Sequence, residues 1–283
     1  MSLESFPETA PRPLTTIQPP KGWQLIDWKE LWRYRDLLLA LAGKDIRLRY
    51  RQTILGVAWV IMIPLISAGI FTFVFGRVAK LPSDHVPYIL FAFVGTMAWN
   101  LFNSIITNSI TTLLGNANMI SKIYFPRLIL PLSTALGGLL DFSIGLCLLI
   151  VLLVSYHVSV HWTLLLFPCW LLLLLAMALG IGCISSAGAV TYRDVRQVMP
   201  VLLNILLYAS PVAYGANAVH GKLHAVYMLN PLAVILQGFR WAVFGVSPPS
   251  LGSIIYAMVC SLAIFLVGAM VFRNAERGFA DVI

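Results

Sequence analysis

Side chains able to act as metal ligands or general bases are few in this sequence and rarely close together. His220 and His224 are four residues apart, which would bring two imidazoles to one face of a helix, but no carboxylate lies near them. Gly-Lys pairs occur at 43–44 and 221–222, and neither has the upstream glycine of a phosphate-binding loop. We therefore predict no catalytic residue, no metal site and no ATP-binding motif in this chain.

Asp141 is the single acidic residue whose position is unusual, because it stands alone in the apolar stretch 137–145. A carboxylate near the middle of a bilayer costs about 2.5–3.5 kcal/mol, so it is expected to face protein or water. One interpretation places Asp141 on a substrate pathway or in a proton relay. The other is that nearby polar groups satisfy it at a close helix contact, which Gly137, Gly138 and Gly145 favour.

A stripe of amide and hydroxyl side chains follows one apolar segment. Asn100, Asn103, Thr107 and Thr111 recur at the spacing that aligns residues along one face of a helix. Such a stripe either forms hydrogen bonds with neighbouring helices or lines a hydrated pathway, and the sequence leaves both open. Amides and aromatic faces together suit a hydroxyl-rich sugar chain, although aromatics are also typical of the membrane interface. The aromatic candidates for a pathway are Phe102, Tyr208, Tyr214 and Trp241.

A polar and basic interruption, NANMISKIYFPRLILPLS at 116–133, divides the apolar sequence near its middle. Its two prolines indicate that one helix stops and another restarts there. Its basic residues, Lys122 and Arg127, suit the cytoplasmic side of a membrane. The apolar residues at 123–125 are not needed for orientation, and they indicate a knob on which a partner docks.

Composition places the chain in a membrane. Of its 283 residues, 59% are hydrophobic and 11% charged, and mean hydropathy is +0.87, whereas soluble domains carry about 25% charged residues. The apolar runs are about 20 residues long, which suits helices rather than the shorter alternating strands of a barrel. The net charge of +8 comes from basic residues beside these runs, so it reports membrane topology and not nucleic-acid binding.

Six membrane spans are predicted, with both termini in the cytoplasm. This arrangement puts most of the 19 Lys and Arg residues on cytoplasmic segments, as the positive-inside rule requires. The segment 215–250 is interpreted as a re-entrant or interfacial pair of helices, because its apolar part is short and contains Arg240. The predicted spans run from about 54 to 75, 88 to 113, 128 to 154, 162 to 190, 198 to 214 and 251 to 272.

Three regions are expected along the chain. Residues 1–27 form a Pro-rich cytoplasmic tail without the features of a secretory signal peptide, and residues 52–283 form the transmembrane domain. Between them, 28–51 has Trp and Leu on one side of a helix and basic residues on the other, which is typical of an amphipathic helix in the membrane interface. The predicted fold is an all-α integral membrane protein with six transmembrane helices, this interface helix and re-entrant outer helices.

Six motifs are spread over most of the chain. They are KDIRLRYRQTILGVAWVIMIPL (44–65), SKIYFPRLILPLS (121–133), YRDVRQVMPVLL (192–203), SPVAY (210–214), LNPL (229–232) and RNAERGFADVI (273–283). In this order they resemble the membrane subunits of ABC-2 type exporters of cell-surface polysaccharides, which include O-antigen, capsule and teichoic acid. The resemblance implies the ABC-2 fold and a permease that moves a lipid-linked polysaccharide across the bacterial inner membrane.

The resemblance also implies partners. It implies a homodimer, surrounded by membrane lipids and joined by two copies of a separate ATP-binding subunit that holds ATP and Mg. The N-terminal helix and the loop after the second span would contact these ATPases, although basic residues there also serve orientation and phospholipid anchoring. The candidate coupling residues are Met119, Ile120, Lys122, Ile123, Tyr124, Phe125, Pro126 and Arg127 in the loop, with Asp36, Lys44, Asp45, Arg47, Arg49, Arg193 and Asp194 elsewhere.

Three other functions compete with polysaccharide export. The first is an ABC-2 permease for a drug or a free lipid, which would share the architecture. The second is a membrane-embedded acyl- or glycosyltransferase, which needs acidic or His residues in catalytic spacing at a lipid–water face, and this chain offers few. The third is a proton-driven flippase, for which Asp141 is the main support.

Overall fold

A computed structural model describes residues 28–51, 58–83, 86–120, 122–159, 161–215, 227–276 and 278–279. Every regular element among these residues is a helix. The helices are α1 (Trp28–Arg33), α2 (Arg35–Arg51), α3 (Ala58–Phe71, continued by a π-helical turn at Thr72–Val78), α4 (Tyr88–Gly115), α5 (Ala117–Ile120), α6 (Ile129–Ser155), α7 (Phe167–Thr191, preceded by a 3-10 turn at Trp162–Leu166), α8 (Val195–Tyr208), α9 (Pro231–Phe244) and α10 (Leu251–Glu276).

Five helices in the described part of the chain are long and apolar enough to cross a bilayer. They are α3 with its π-helical turn, α4, α6, α7 with its 3-10 turn, and α10, and their lengths run from 21 to 30 residues. At 1.5 Å per residue, these lengths match a hydrocarbon core about 30 Å thick. The prediction of an all-α integral membrane protein is confirmed.

The predicted fifth span, 198–214, is helical over only part of its length. Helix α8 has 14 residues, and the chain leaves the helix at Ala209. Pro211 explains the early end, because proline has no N–H to donate and disfavours helical backbone at the residue before it. The described residues therefore hold five long helices where the sequence predicts six spans, together with two short apolar helices, α8 and α9.

Helix α4 is the centre of the protein. Its N-terminal half is buried, and α3, α6, α7 and α9 pack around it. Small residues let these neighbours approach: a Cβ on Gly138 of α6 would lie 3.0 Å from a leucine of α4, and one on Gly145 would lie 3.2 Å from a methionine there. The helix contact that the glycines around Asp141 predict is thus present, with α4 as the partner.

Helix α9 is short and buried. Asn230 caps its N-terminus by accepting a hydrogen bond from the Leu232 N–H at 3.0 Å, and Gly245 ends it in the left-handed region with φ of +70°. A Cβ on Gly238 would lie 2.3 Å from the ring of Trp170 on α7, so only glycine fits there. A short helix predicted within 215–250 is therefore present at Pro231–Phe244. A first helix of the predicted pair would fall around 216–226, outside the described residues.

The N-terminal segment predicted as one helix consists of α1 and α2, which separate at Tyr34. Backbone hydrogen bonds from Tyr34 to Glu30 and from Leu38 to Tyr34 continue across the break. The apolar side chains divide between two directions, because Leu38 packs against the protein whereas Trp32 and others are exposed. The location of these helices in the membrane interface stays a prediction.

Candidate functional site

The loop between α4 and α6 presents two apolar side chains on the protein surface. After the one-turn helix α5, Ile123 and Tyr124 are 61% and 58% exposed. Phe125 follows directly but is 2% exposed, and its ring packs in an apolar cluster with Ile129. The knob predicted at 123–125 is therefore corrected to Ile123 and Tyr124, and we call this pair the loop knob. Phe125 anchors the loop from inside, because removing its aromatic ring from water lowers the free energy of the folded protein.

Side chains of α1 and α2 hold the same loop from one side. Lys44 and Asp45, predicted as coupling residues, both contact the polar end of α4 and so brace the loop. Burial, followed by the charge of Glu30, raises the pKa of Tyr124, so its phenol stays neutral. The contacts are Tyr124 Oη to Glu30 Oε1 (3.4 Å), Lys44 Nζ to Asn116 Oδ1 (3.1 Å) and Thr112 Oγ1 to Asp45 Oδ2 (3.5 Å).

The end of α10 holds the loop from another side. The backbone N–H of Arg127 donates to Glu276 Oε1 at 3.0 Å, and the Arg127 guanidinium donates to the Glu276 carbonyl. The same guanidinium lies 5.7 Å from the ring centroid of Phe279, which meets Phe272 edge-on. Arg127 is thus half-buried and joins the loop to the last helix. Glu276 and Phe279 were not predicted as coupling residues, although both lie in the motif RNAERGFADVI at 273–283.

The remaining predicted coupling residues differ in exposure. Arg193 and Asp194 are exposed in the turn before α8, where the Asp194 carbonyl accepts a hydrogen bond from the Gln197 N–H at 2.9 Å. Ile120 is buried in the same cluster as Phe125. Met119 and Pro126 are half-buried, Asp36, Arg47 and Lys122 are exposed, and the side chain of Arg49 lies outside the described residues. The roles of all these residues in coupling stay predictions.

The polar stripe on α4 lies on a partly open face of that helix. Asn100 and Asn103 are half-buried, whereas Thr107 and Thr111 are exposed. The Thr111 hydroxyl donates to the Thr107 carbonyl at 3.1 Å, a bond within the helix that leaves the face available to another surface. Phe102 is fully buried in the core and does not share this face. The prediction of Phe102 as a pathway residue is therefore not supported by its buried position in the structure.

The other aromatic candidates lie where α8 ends. Tyr208 is 70% exposed, and its carbonyl accepts a hydrogen bond from the Tyr214 hydroxyl at 2.7 Å. The Tyr214 ring lies 6.3 Å from that of Phe75 and 6.1 Å from that of Tyr227, centroid to centroid. Trp241 is half-buried on α9. The structure therefore brings Tyr208 and Tyr214 together, and it does so through the irregular segment after α8.

The described part of the chain shows no cluster of metal-ligating side chains. No three residues among its His, Cys, Asp and Glu are placed to share a metal ion. Asp141 is half-buried on α6. His220 and His224 lie outside the described residues.

A family model for the ABC-2 type transporter matches residues 36–244, which is more than half of the chain. The chain belongs to the ABC-2 type transporter family. This membership agrees with the resemblance seen in the motifs, and it makes the chain a multi-pass transport subunit.

The alignments with similar proteins extend over most of this chain and most of each relative. An O-antigen export system permease protein from Myxococcus xanthus is 25% identical over 257 residues, which are 90% of this chain and 98% of the relative. A protein of the same name from Klebsiella pneumoniae is 28% identical over 256 residues, 88% and 95% of the two chains. The polysialic acid transport protein KpsM of Escherichia coli is 24% identical over 244 residues, 84% and 93% of the two chains.

Proposed function

We propose that this chain is the membrane-spanning subunit of an ABC exporter that moves a lipid-linked cell-surface polysaccharide, such as O-antigen, across the bacterial inner membrane. The observation that carries the proposal is the almost end-to-end match to permeases named for O-antigen export and polysialic acid transport. The working unit is a homodimer with two copies of an ABC ATP-binding subunit on the cytoplasmic side. Both termini of the chain lie on that side.

The loop knob supports a docking site for the ATPase. An exposed isoleucine beside an exposed tyrosine is a small apolar patch of the kind that anchors protein interfaces. The loop beneath it is fixed by Phe125, by Glu30 of α1 and by the end of α10. A displacement of the knob would therefore be passed to α1, to the end of α10 and to the apolar cluster around Phe125. The partner holds ATP and Mg, and its hydrolysis of ATP supplies the energy for transport.

The open face of α4 supports a pathway between two copies of the permease. Amide and hydroxyl side chains that face lipid are costly, because hydrocarbon offers them no hydrogen-bond partners. Asn103 and Thr107 would avoid this cost against a second copy or a hydrated channel. Tyr208 lies exposed on α8, which packs beside α4. Hydroxyl-rich sugar units suit such a lining of amides, hydroxyls and an aromatic face.

The coupling assignment is tested on the loop knob. Ile123→Ala and Tyr124→Ala should each weaken the complex with the ATPase by about tenfold, as expected for removal of an anchoring side chain. Tyr156→Ala is the matched control, because Tyr156 is also exposed but lies at the opposite end of α6. Binding is measured by titrating the ATPase onto the permease in nanodiscs. Unchanged affinity and export in both knob variants would show that the ATPase docks elsewhere.

The substrate assignment is tested in the cell that makes the polymer. Removal of this gene should leave a lipid-linked polysaccharide in the cytoplasm and deplete it from the cell surface. The measurement is the distribution of the polymer between spheroplast contents and the outer surface. Normal surface polysaccharide, with accumulation of a free lipid or a drug instead, would favour the alternative permease function.

A further inference from the structure

In the irregular residues 209–215, here named the latch segment, three backbone carbonyls accept hydrogen bonds from side chains of other elements. Arg240 of α9 donates to the Val212 carbonyl at 2.7 Å and to the Tyr214 carbonyl at 3.2 Å. The Tyr88 hydroxyl at the start of α4 donates to the Ala213 carbonyl at 2.7 Å. Three consecutive carbonyls are thus held by two side chains.

Arg240 suits this position because of the shape of its guanidinium. The planar group carries five donors in a fixed fork, so one side chain reaches two carbonyls that lie two residues apart. It is 4% exposed, and its Cζ lies 3.8 Å from the ring centroid of Phe91, which favours the cation over a desolvated aromatic face. Lysine carries a point charge and cannot keep both hydrogen bonds in this geometry.

Gly95 makes room for the contact. A Cβ at this position would lie 2.1 Å from the Val212 carbonyl oxygen and 2.7 Å from Arg240 Nη2. No side chain fits at such distances, so glycine is required for the latch segment to reach α4. Gly115, at the other end of the same helix, has nothing within 4 Å of an added Cβ and provides a matched comparison.

The latch segment fixes the two tyrosines of the proposed pathway. Tyr214 lies within it, and the Tyr214 hydroxyl binds the carbonyl of Tyr208. Arg240 is therefore connected to the exposed Tyr208 through Tyr214 by two hydrogen bonds: Arg240 donates to the Tyr214 carbonyl, and the Tyr214 hydroxyl donates to the Tyr208 carbonyl. Phe91 and Gly95 lie near the start of α4, so this assembly is at the opposite end of that helix from the loop knob, about 30–36 Å from Gly115 along the axis.

We propose that Arg240 is a positioning residue that, with Tyr88 and Gly95, latches residues 209–215 closed and so seals this end of the pathway at rest. The inference rests on the proposed transport function, since a resting seal has a role only where there is a pathway. Arg240 does not need to touch the polymer. It sets where Tyr208 and Tyr214 stand, and export requires the latch segment to leave the Arg240 donors.

The seal is tested by the reactivity of a buried thiol. The permease–ATPase complex is prepared in nanodiscs with its four cysteines replaced by alanine and with Val212→Cys introduced, since Val212 is buried in the latch segment. A membrane-impermeant maleimide should react slowly with this thiol. Arg240→Lys and Gly95→Ala should each accelerate the reaction about tenfold or more. The first removes donors from buried carbonyls, and the second pushes the Val212 carbonyl away from α4.

Two controls separate a latch from general loosening. Gly115→Ala should leave the rate at Val212→Cys unchanged. Ala257→Cys on α10, equally buried but away from the latch, should stay unreactive in the Arg240→Lys and Gly95→Ala backgrounds. Equal acceleration at Ala257→Cys, or continued protection of Val212→Cys in both variants, would overturn the proposal. If Arg240→Lys fails to assemble, Gly95→Ala decides the outcome, since it keeps every donor and acceptor.

The labelling needs neither ATP nor polymer, so its failure is distinguishable from failure of the transport function. If the thiol stays protected while the wild-type complex exports polysaccharide, the latch is wrong and the function stands. If the thiol is released in both latch variants while no polymer accumulates on gene removal, the latch stands but does not serve polysaccharide export.

Discussion

The two ends of α4 each carry an irregular segment, and the two segments are held in opposite ways. At the C-terminal end, the loop before α6 is anchored by the apolar ring of Phe125 and turns Ile123 and Tyr124 outward. At the N-terminal end, the latch segment is anchored by the cation of Arg240 and the hydroxyl of Tyr88. At the C-terminal end, the buried anchor is the apolar ring of Phe125, and the exposed side chains are apolar as well. At the N-terminal end, the buried anchor is the charged side chain of Arg240.

The difference follows from what each backbone needs. The loop before α6 lies at a surface and has its own turn hydrogen bonds, such as Ile123 N–H to the Met119 carbonyl at 3.0 Å. Few of its buried acceptors are left unmet, so the buried ring of Phe125 anchors it, with Arg127 and Glu276 joining it to α10. The carbonyls of the latch segment point into the protein, where an unmet acceptor is expensive, so they require side-chain donors. The first arrangement suits a docking site, and the second suits a closure that separates two conformations.

The largest effect is expected from truncating the apolar anchor of the loop. Phe125→Ala should lower the free energy of unfolding by about 3–5 kcal/mol, because it removes a fully buried ring and leaves a cavity. Its neighbour Tyr124→Ala should change this free energy by less than about 0.5 kcal/mol, as is usual for exposed sites. Both are measured by reversible unfolding in mixed micelles. Equal losses would show that the loop knob is part of the folded core.

A smaller but still large effect is expected from removing the cation at the other end. Arg240→Met should lower the free energy of unfolding by about 3 kcal/mol, since two carbonyls lose a charged donor while the apolar stem is kept. Arg77→Met is the control, because Arg77 is exposed at the end of the π-helical turn, and it should be neutral within about 0.5 kcal/mol. If the two variants behave alike in the same unfolding assay, Arg240 does not support the latch segment.

The contrast between the two ends of α4 also explains which parts of the structure could be predicted from the sequence. Long apolar runs fix membrane helices through length alone, so α3, α4, α6, α7 and α10 appear close to their predicted limits. The loop at 116–133 was predicted from its polar and basic character, and the exposure of Ile123 and Tyr124 agrees with a surface role. Exposure of Phe125 was predicted wrongly, because three adjacent apolar residues give no indication of which one turns inward.

The latch segment escaped prediction for a different reason. Arg240 was recognised as a charge in an apolar stretch, but its partners are backbone carbonyls, which every residue carries and no sequence pattern marks. Gly95 lies among many glycines, and only the position of Val212 in space shows that a Cβ is excluded there. The early end of α8 was indicated by Pro211, although the apolar residues around it favoured a longer span. Contacts between distant segments decided the roles of Arg240 and Gly95, whereas the end of α8 is a local effect of Pro211.

A moderate effect is expected from removing the second donor of the latch. Tyr88→Phe should lower the free energy of unfolding by about 1 kcal/mol, because the Ala213 carbonyl loses a neutral hydrogen bond while the ring is kept. Tyr156→Phe is the matched control, since that tyrosine is exposed. The difference between the two variants is read from the same unfolding titrations. A Tyr88→Phe variant as stable as the control would leave Arg240 as the sole holder of the latch segment.

The smallest effect is expected from the hydroxyl of Tyr124. Its bond to Glu30 is long and exposed, so Tyr124→Phe should change ATPase binding by less than about 0.5 kcal/mol, whereas Tyr124→Ala removes the docking ring.

The pKa of Tyr124 is raised from its ordinary 10.0 by burial first and by Glu30 second, so the folded protein favours the neutral phenol. The contribution of its hydrogen bond is present at pH 7–9 and would be lost only as pH rises through that raised pKa. Binding curves of wild type and Tyr124→Phe should therefore run parallel from pH 7 to 9, and divergence in this range would mean that the hydroxyl, rather than the apolar ring, makes the contact with the ATPase.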